Sequence, residues 1–325
     1  MNVHLVLNYN CNQRCVFCYN ATTVAKHSSS ALMSEEAFRE ALRWIEDNLP
    51  EARLSFTGGE PTLHRRILRF VELAQDFPVS IITNGTFDGA LIDKLRDYGV
   101  SMQFSLEGHT EELHNRIVKR GSFEEIVKNI GRALIKLGED RVSTNTTLNA
   151  LNFPHAGRIF RFAHELGLRR ASFNYASPNG ENHGIVPDLS RYAQLLEEIP
   201  HLSTILGMRI RNLGVLPKCI YGDSPACSAG TGIIVIDPRL DIYACPSIAF
   251  EDTRAGSVKT SSYEDVLSSE IVQAIHSTHE HLRGACDSCR LLEACKGGCY
   301  LFWRHGLFPE LLPSERRCEN GRAGN

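Results

Sequence analysis

The stretch CNQRCVFCY, residues 11–19, sets Cys11, Cys15 and Cys18 at C-x3-C-x2-C directly after a short apolar run, HLVLN at 4–8. Three thiols in so short a span form a ligand set that is one short. Iron–sulfur clusters and structural zinc ordinarily take four protein ligands. The question this stretch raises is what completes the site and what kind of body carries it.

Working outward, short apolar runs alternate with amphipathic stretches. Runs at 4–8, 53–57, 79–83, 100–106, 142–148 and 171–175 read as strands, and each is followed by a helical pattern. The first of these patterns opens at Ser34 with Glu35 and Glu36 behind it, a capped helix start. Six successive β-then-α units over residues 1–210 predict an α/β fold, a partial (β/α)6 barrel with parallel strands and right-handed crossovers. Chemistry in such folds collects at the C-terminal ends of the strands. The cysteine triplet follows strand one, TGGEP strand two, TNGT strand three, and SLEG ends strand four. All four therefore fall on one face. Taken singly, GGEP or TNG reads equally as a tight turn.

Of the 325 residues, 42% are hydrophobic, enough for a sizeable core, and the formal net charge of −3 gives no electrostatic case for nucleic acid or an anionic membrane. No apolar run of about 18–20 residues is present, and no basic-then-apolar leader, so a cytoplasmic protein is expected. The eleven cysteines are uneven: three at 11–18, none from 19 to 218, and eight from Cys219 to Cys318. In a reducing compartment that pattern argues for metal or catalysis over disulfides, in two separate regions. The second region, 211–325, contains Cys219, Cys227 and Cys245 around a hairpin pattern, TGIIVIDPRLDIYAC. Cys286, Cys289, Cys295 and Cys299 follow at C-x2-C-x5-C-x3-C, and then Cys318. A zinc site also fits a C-x2-C with a second cysteine pair.

The triplet with its following aromatic, ahead of a βα barrel with GGEP, resembles the radical S-adenosylmethionine (SAM) enzymes over roughly residues 3–210. The resemblance implies that Cys11, Cys15 and Cys18 hold a [4Fe–4S] cluster whose open iron takes SAM. Reductive cleavage then yields a 5′-deoxyadenosyl radical that removes a hydrogen atom from the substrate. It further implies an adenine-side contact for Tyr19 and reception of the SAM ammonium by Gly58, Gly59 and Glu60, whose glycines would keep side chains out of that approach. Thr83 and Asn84 face the same mouth, and Ser105 resembles a ribose or carboxylate contact. Arg116 or Arg120 pairs with the SAM carboxylate, the choice between them being open. Glu107 stands where many relatives have Asp.

The tail resembles the SPASM domain, the auxiliary-cluster extension of radical SAM enzymes, a small cysteine-rich unit with a β-hairpin and short helices. Two further [4Fe–4S] clusters are implied. The inner one takes Cys227, Cys245, Cys299 and Cys219, though Cys219 is alternatively a free hydrogen-atom donor. The outer one takes Cys286, Cys289, Cys295 and Cys318. Two departures stand out: Leu240 occupies a position that is Gly in the family pattern, and Pro246 replaces the Asp general base of anaerobic sulfatase maturases. The expected activity is oxidative modification or crosslinking of a ribosomally made peptide, or alternatively dehydrogenation or rearrangement of an aminocyclitol or sugar. An electron donor such as flavodoxin or ferredoxin is implied. With the first strand starting near residue 3, no N-terminal leader-binding domain is expected, so a separate leader-binding protein or a small substrate is implied. A non-catalytic cluster protein for electron transfer is the reading of another class, and it leaves GGEP and the polar strand ends unexplained. His183 reads as a solvated loop residue or a substrate contact; Trp44 and Trp303 read as packing residues.

Overall fold

Alternation of apolar side chains along residues 2–8 buries Val3, Leu5 and Leu7 on one face and Val6 on the other, so this strand is covered on both sides. It is the hinge of the whole sheet. The computed structural model describes residues 1–18, 32–177, 185–186, 192–210, 213–218, 222, 224–249, 253–277, 286 and 289–305. In it, β1 (Asn2–Asn8), β2 (Arg53–Gly58), β3 (Val79–Thr83), β4 (Ser101–Ser105), β5 (Val142–Leu148), β6 (Arg170–Tyr175) and β7 (Arg209–Ile210) pair in parallel in that order. The crossovers carry α1 (Glu35–Asn48), α2 (Ile67–Leu73), α3 (Ala90–Leu95), α4 (Glu111–Val118), α5 (Phe123–Leu137), α6 (Ala156–Glu165) and α7 (Tyr192–Leu206). The six expected strand runs are strands, and the fold is the mixed α/β arrangement of a partial barrel.

Local chemistry accounts for the helices. The Ser34 hydroxyl accepts from the Ala37 N–H and caps α1, and Glu35 and Glu36 face its positive end. The buried face of α1 is Phe38, Ala41, Leu42, Trp44 and Ile45. Phe38 stacks on Phe70 of α2 at 4.3 Å and meets Phe56 of β2 edge-on at 5.6 Å, locking the two helices to the sheet. The sequence reading overlooked α4. Its signal was present: Thr110 accepts from the Leu113 N–H, with Glu111 and Glu112 behind it.

The sheet does not end at residue 210. β8 (Ile233–Ile236) adds in parallel to the free edge of β1, and β9 (Asp241–Tyr243) and β10 (Arg254–Ser257) extend it antiparallel. The ten strands run β10-β9-β8-β1-β2-β3-β4-β5-β6-β7. The β8–β9 turn is organised by Asp237, whose Oδ1 accepts from the N–H groups of Arg239 and Asp241 and whose Oδ2 accepts from the Tyr9 hydroxyl at 2.9 Å. A residue beside the cysteine loop is thus tied to a residue 228 positions later. Then follow α8 (Tyr263–Ser268), α9 (Glu270–His276), α10 (Leu292–Cys295) and α11 (Tyr300–Arg304). Trp44 donates to the Ser261 carbonyl, and Tyr175 meets Phe302 edge-on at 4.8 Å, so both tryptophan-bearing regions pack the tail onto the barrel; Trp303 donates to the Gly297 carbonyl. Among the described residues no helix is long and apolar enough to cross a membrane.

Leu240, at the family's glycine position, is buried and holds φ +70°. A left-handed leucine costs about 1–2 kcal/mol, whereas burying its side chain contributes about 1.5–3 kcal/mol. Burial wins. Leu240→Gly is therefore expected to lower stability by about 1 kcal/mol despite relieving the backbone, read as a reduced urea midpoint.

Candidate functional site

The C-terminal ends of β1 to β5 meet around the cysteine loop. A register shift between Val6 and Asn8 sets Asn8 opposite Gly58. The Gly59 and Glu60 N–H groups then donate to the Asn8 and Asn10 carbonyls at 2.9 and 2.7 Å, and the buried Asn8 side chain donates to the Glu60 carbonyl. A Cβ on Gly58 or Gly59 would lie 2.2 Å from the Asn8 or Asn10 oxygen, and Gly58 holds φ +144°. The physical reason for these glycines is therefore the protein's own backbone one strand away, in addition to any ligand approach.

The Glu60 carboxylate is fully buried. Its Oε1 accepts from the Thr62 N–H and from the Thr62 and Thr83 hydroxyls, and its Oε2 from the Asn84 N–H at 2.7 Å. Burial pushes its pKa up, and these donors pull against that rise. The carboxylate thus spans the ends of β2 and β3. Asn84 passes the constraint onward: its amide donates to Asn12 Oδ1 and lies 3.8 Å from the Cys11 sulfur, and its Oδ1 accepts from the Thr86 N–H and hydroxyl. Asn12 donates in turn to the Thr86 carbonyl and hydroxyl.

The other flank of the loop rests on α4. Arg14 and Val16 donate from their backbones to the Val118 and Ile117 carbonyls at the helix end. Gln13 lies beside the Cys15 thiol and donates to the Ser122 hydroxyl; Ser122 contacts His114 Nε2, and His114 Nδ1 accepts from the Glu107 N–H. Because Nδ1 accepts, the proton of the neutral ring sits on Nε2 and points at Ser122. Burial holds His114 down to about 4. Glu107 is buried as well, its carboxyl pushed up to about 8; Oε2 accepts from the Thr147 N–H and Oε1 has no partner. Asn8, Asn12, Gln13, Thr86, His114 and Ser122 were not singled out from the sequence. Only the asparagine-rich run NYNCN hinted at side-chain-to-backbone bonding there.

Cys11, Cys15 and Cys18 form no disulfide and are half-buried. Burial raises the Cys11 and Cys15 thiols, and for Cys15 the charges of Glu107, Cys18 and Cys11 raise it further. In the tail, Cys227, Cys245 and Cys299 come together from three parts of the chain. Burial pushes Cys245 to about 11 and Cys299 higher, the thiolate of Cys227 adding to both and that of Cys245 to Cys299. Packed thiols that disfavour one another's ionisation suit a donor set whose thiolates form only against a cationic ligand, as iron centres provide. Cys286 and Cys289 are joined by the 289 N–H to the 286 carbonyl, and Cys295 accepts from the Lys218 N–H at 3.1 Å. Lys296, Gly297 and Gly298 are consecutively left-handed, which turns the chain between Cys295 and Cys299. Ser105 ends β4 beside Asn145. Arg120 donates to the Asn12 carbonyl, whereas Arg116 is exposed on α4; neither forms an ion pair among the described residues. Tyr19, His183, Cys219 and Cys318 lie outside the described residues. Among the described residues, no three His, Cys, Asp or Glu side chains are arranged to hold a single metal ion.

Residues 5–163 match the radical SAM superfamily. The mycofactocin maturase MftC of Mycolicibacterium smegmatis is 26% identical over 312 residues, 90% of this chain and 76% of that protein. Among solved structures, anSMEcpe with bound AdoMet superimposes with a TM-score of 0.75 at 16% identity over 96% of this chain and 95% of that one. Streptococcus suis SuiB bound to the precursor peptide SuiA superimposes with a TM-score of 0.73 at 18% identity, over 92% and 72%. These likenesses in structure are likenesses of fold, and they extend through the cysteine-rich tail.

Two outcomes follow from this geometry. Gly59→Ala drives a methyl into the Asn10 carbonyl, so the loop bearing Cys11 must shift; reconstituted protein is expected to carry about four fewer iron atoms per chain with the fold retained by circular dichroism. Neutral His114, near 4 when folded against 6.5 when free, binds its proton more weakly folded than unfolded. Its contribution is intact above pH 6.5 and falls away as pH drops toward 4. Between pH 6.5 and 5 the apo chain should lose roughly 2 kcal/mol at this residue, a loss that urea midpoints should show as smaller in His114→Gln.

Proposed function

The chain belongs to the radical SAM superfamily with a SPASM-like C-terminal region, and from that premise we propose that it uses S-adenosylmethionine and iron–sulfur clusters to modify a ribosomally made peptide oxidatively. The observation that carries the reading is the meeting of the two cysteine regions on one sheet: β8 pairs with β1, and the Ser177 hydroxyl, two residues beyond the C-terminal end of β6, donates to the hydroxyl of Ser247, two residues beyond Cys245. That supports a thiol set near enough to the reaction site to receive an electron from the substrate.

When bound, a [4Fe–4S] cluster with S-adenosylmethionine supplies one-electron cleavage of the sulfonium and removal of a hydrogen atom from the substrate. The chain's own residues have the remaining tasks. Cys11, Cys15 and Cys18 would hold the first cluster as an incomplete ligand set. The ends of β2 and β3, cross-braced by Glu60, keep Thr83 and Asn84 at the mouth, and Ser105 and Arg120, which donates to the Asn12 carbonyl, flank it. Tyr19 would serve as the adenine-side contact. Cys227, Cys245 and Cys299 with Cys219, and Cys286, Cys289 and Cys295 with Cys318, would hold the auxiliary clusters of a tail spanning about 211–325. The peptide reading draws on the likeness to a maturase over 90% of this chain and 76% of that protein. Pro246, first residue of a short helical turn, offers no carboxylate beside Cys245, which separates this chain from enzymes needing a proton acceptor there.

Anaerobically reconstituted protein is expected to carry about 12 iron atoms per chain and to release 5′-deoxyadenosine under reduction. With a short peptide encoded beside its gene, it should yield a product lighter by two hydrogens. Cys15→Ala is expected to abolish 5′-deoxyadenosine while keeping about eight iron atoms. Cleavage that persists in this variant would remove the first-cluster assignment. Cleavage coupled to a sugar or aminocyclitol in place of any peptide would replace the substrate class.

A further inference from the structure

Outside the ring of strand ends, on the same face of the sheet, a hollow of about 350 Å³ opens between the loops that follow β4 and β5. His109 lies just beyond Glu107 in the β4 loop. His155 precedes α6, and Arg158 rises from its first turn. Arg116 and Glu112 come from α4. The imidazole rings of His109 and His155 stand 5.4 Å apart, and the Nδ1 of each is buried without a partner. No other hydrogen bond to the protein is made by either ring among the described residues. Burial, His155 and Arg158 hold the His109 imidazole below its usual value.

Such an arrangement is uncommon in a self-sufficient fold, where buried polar atoms are nearly always paired. Two guanidiniums face a single carboxylate here, so the lining is cationic even with both imidazoles neutral. That balance disfavours a divalent cation, although two histidines and Glu112 would otherwise invite one. It favours an oxyanion, which guanidinium forks bind in bidentate fashion and imidazole N–H groups complement. Position adds weight. The helix that brings Arg116 to the hollow also receives the backbone of the cysteine loop on its last carbonyls. One helix thus forms a wall of the hollow and a support of the reaction site.

We propose that this hollow binds one oxyanion group, a carboxylate or a phosphate, carried by the substrate and gripped by Arg158, Arg116, His109 and His155. It rests on the preceding reading only in assigning the group to the substrate. On a peptide, the carboxylate is an acidic side chain or the chain terminus; on a small molecule, the group is a phosphate ester.

The test is calorimetric titration of the reconstituted full chain with inorganic phosphate, acetate and zinc chloride in turn. Saturable binding of phosphate or acetate, weakened about tenfold in Arg158→Gln and in the His109→Gln/His155→Gln double variant, is the expected result. Preference for phosphate identifies a phosphorylated ligand, and equal or better binding of acetate a carboxylate. Absence of anion binding overturns the proposal, as does binding unchanged in both variants. Zinc binding lost in the double variant, with no anion binding, replaces it with a metal site. 5′-Deoxyadenosine release by the same preparation separates the two readings: cleavage without anion binding removes only this proposal, and anion binding without cleavage removes only the earlier one.

Discussion

A carboxylate with no access to water braces the mouth of this barrel. Burying Glu60 as an ion would cost several kcal/mol were it unpaired, and four donors from β2's end and β3's end offset that cost. Two of those donors, the Thr83 hydroxyl and the Asn84 N–H, belong to candidate site residues. Thr83 and Asn84 are positioned by it, and through Asn84 the loop of Cys11 and Asn12 is positioned too. Because Gly58 and Gly59 admit the Asn8 and Asn10 backbones at contact distance, the bracing reaches the cysteine loop from both directions. The tight GGE turn is in this sense a joint of the scaffold before it is a surface for any ligand.

The second constraint is β1. It pairs with β2 on one side and β8 on the other, so the barrel and the cysteine-rich tail share one sheet. Sharing makes the tail's placement a matter of strand register rather than of side-chain contact alone. Register is strongly specified where both faces are buried, because a slip of one residue turns every side chain over. Val6, Tyr9, Val235, Tyr243 and Ala249 form a small core across this junction, and Tyr9 bonded to Asp237 closes it. Cys245 emerges two residues beyond β9, so its distance from the loop of Cys11 is set by the same register.

The family likeness and the chain's departures from it concern different parts of the molecule. The match over residues 5–163 lies wholly within the barrel, and the likeness to the mycofactocin maturase, over 90% of this chain, runs into the tail. Leu240 sits in the turn of the β8–β9 hairpin, and Pro246 at its exit, directly after Cys245. Leu240 keeps the left-handed turn that glycine makes easily, with burial of its side chain as the compensation. The turn is thus retained while the chemistry after Cys245 differs.

Periodicity alone determined the six strands and most of the helices, because apolar residues at spacings of two and of three to four answer to local geometry that any neighbour segment would accept. The spacing of Cys11, Cys15 and Cys18, and of Cys286 to Cys299, likewise reads as sets of thiol donors, since donors on one loop are close by covalent connection. Tertiary structure decided what sequence distance conceals. It brought Cys227, Cys245 and Cys299 together across 72 residues, joined β8 to β1, and gave Asn12, Gln13, Ser122 and His114 a common task. It also faced His109 with His155, whose meeting no spacing rule contains. The physical reason is that contacts within a helix or turn follow from bond geometry, whereas a contact between distant segments follows from which faces must leave water together.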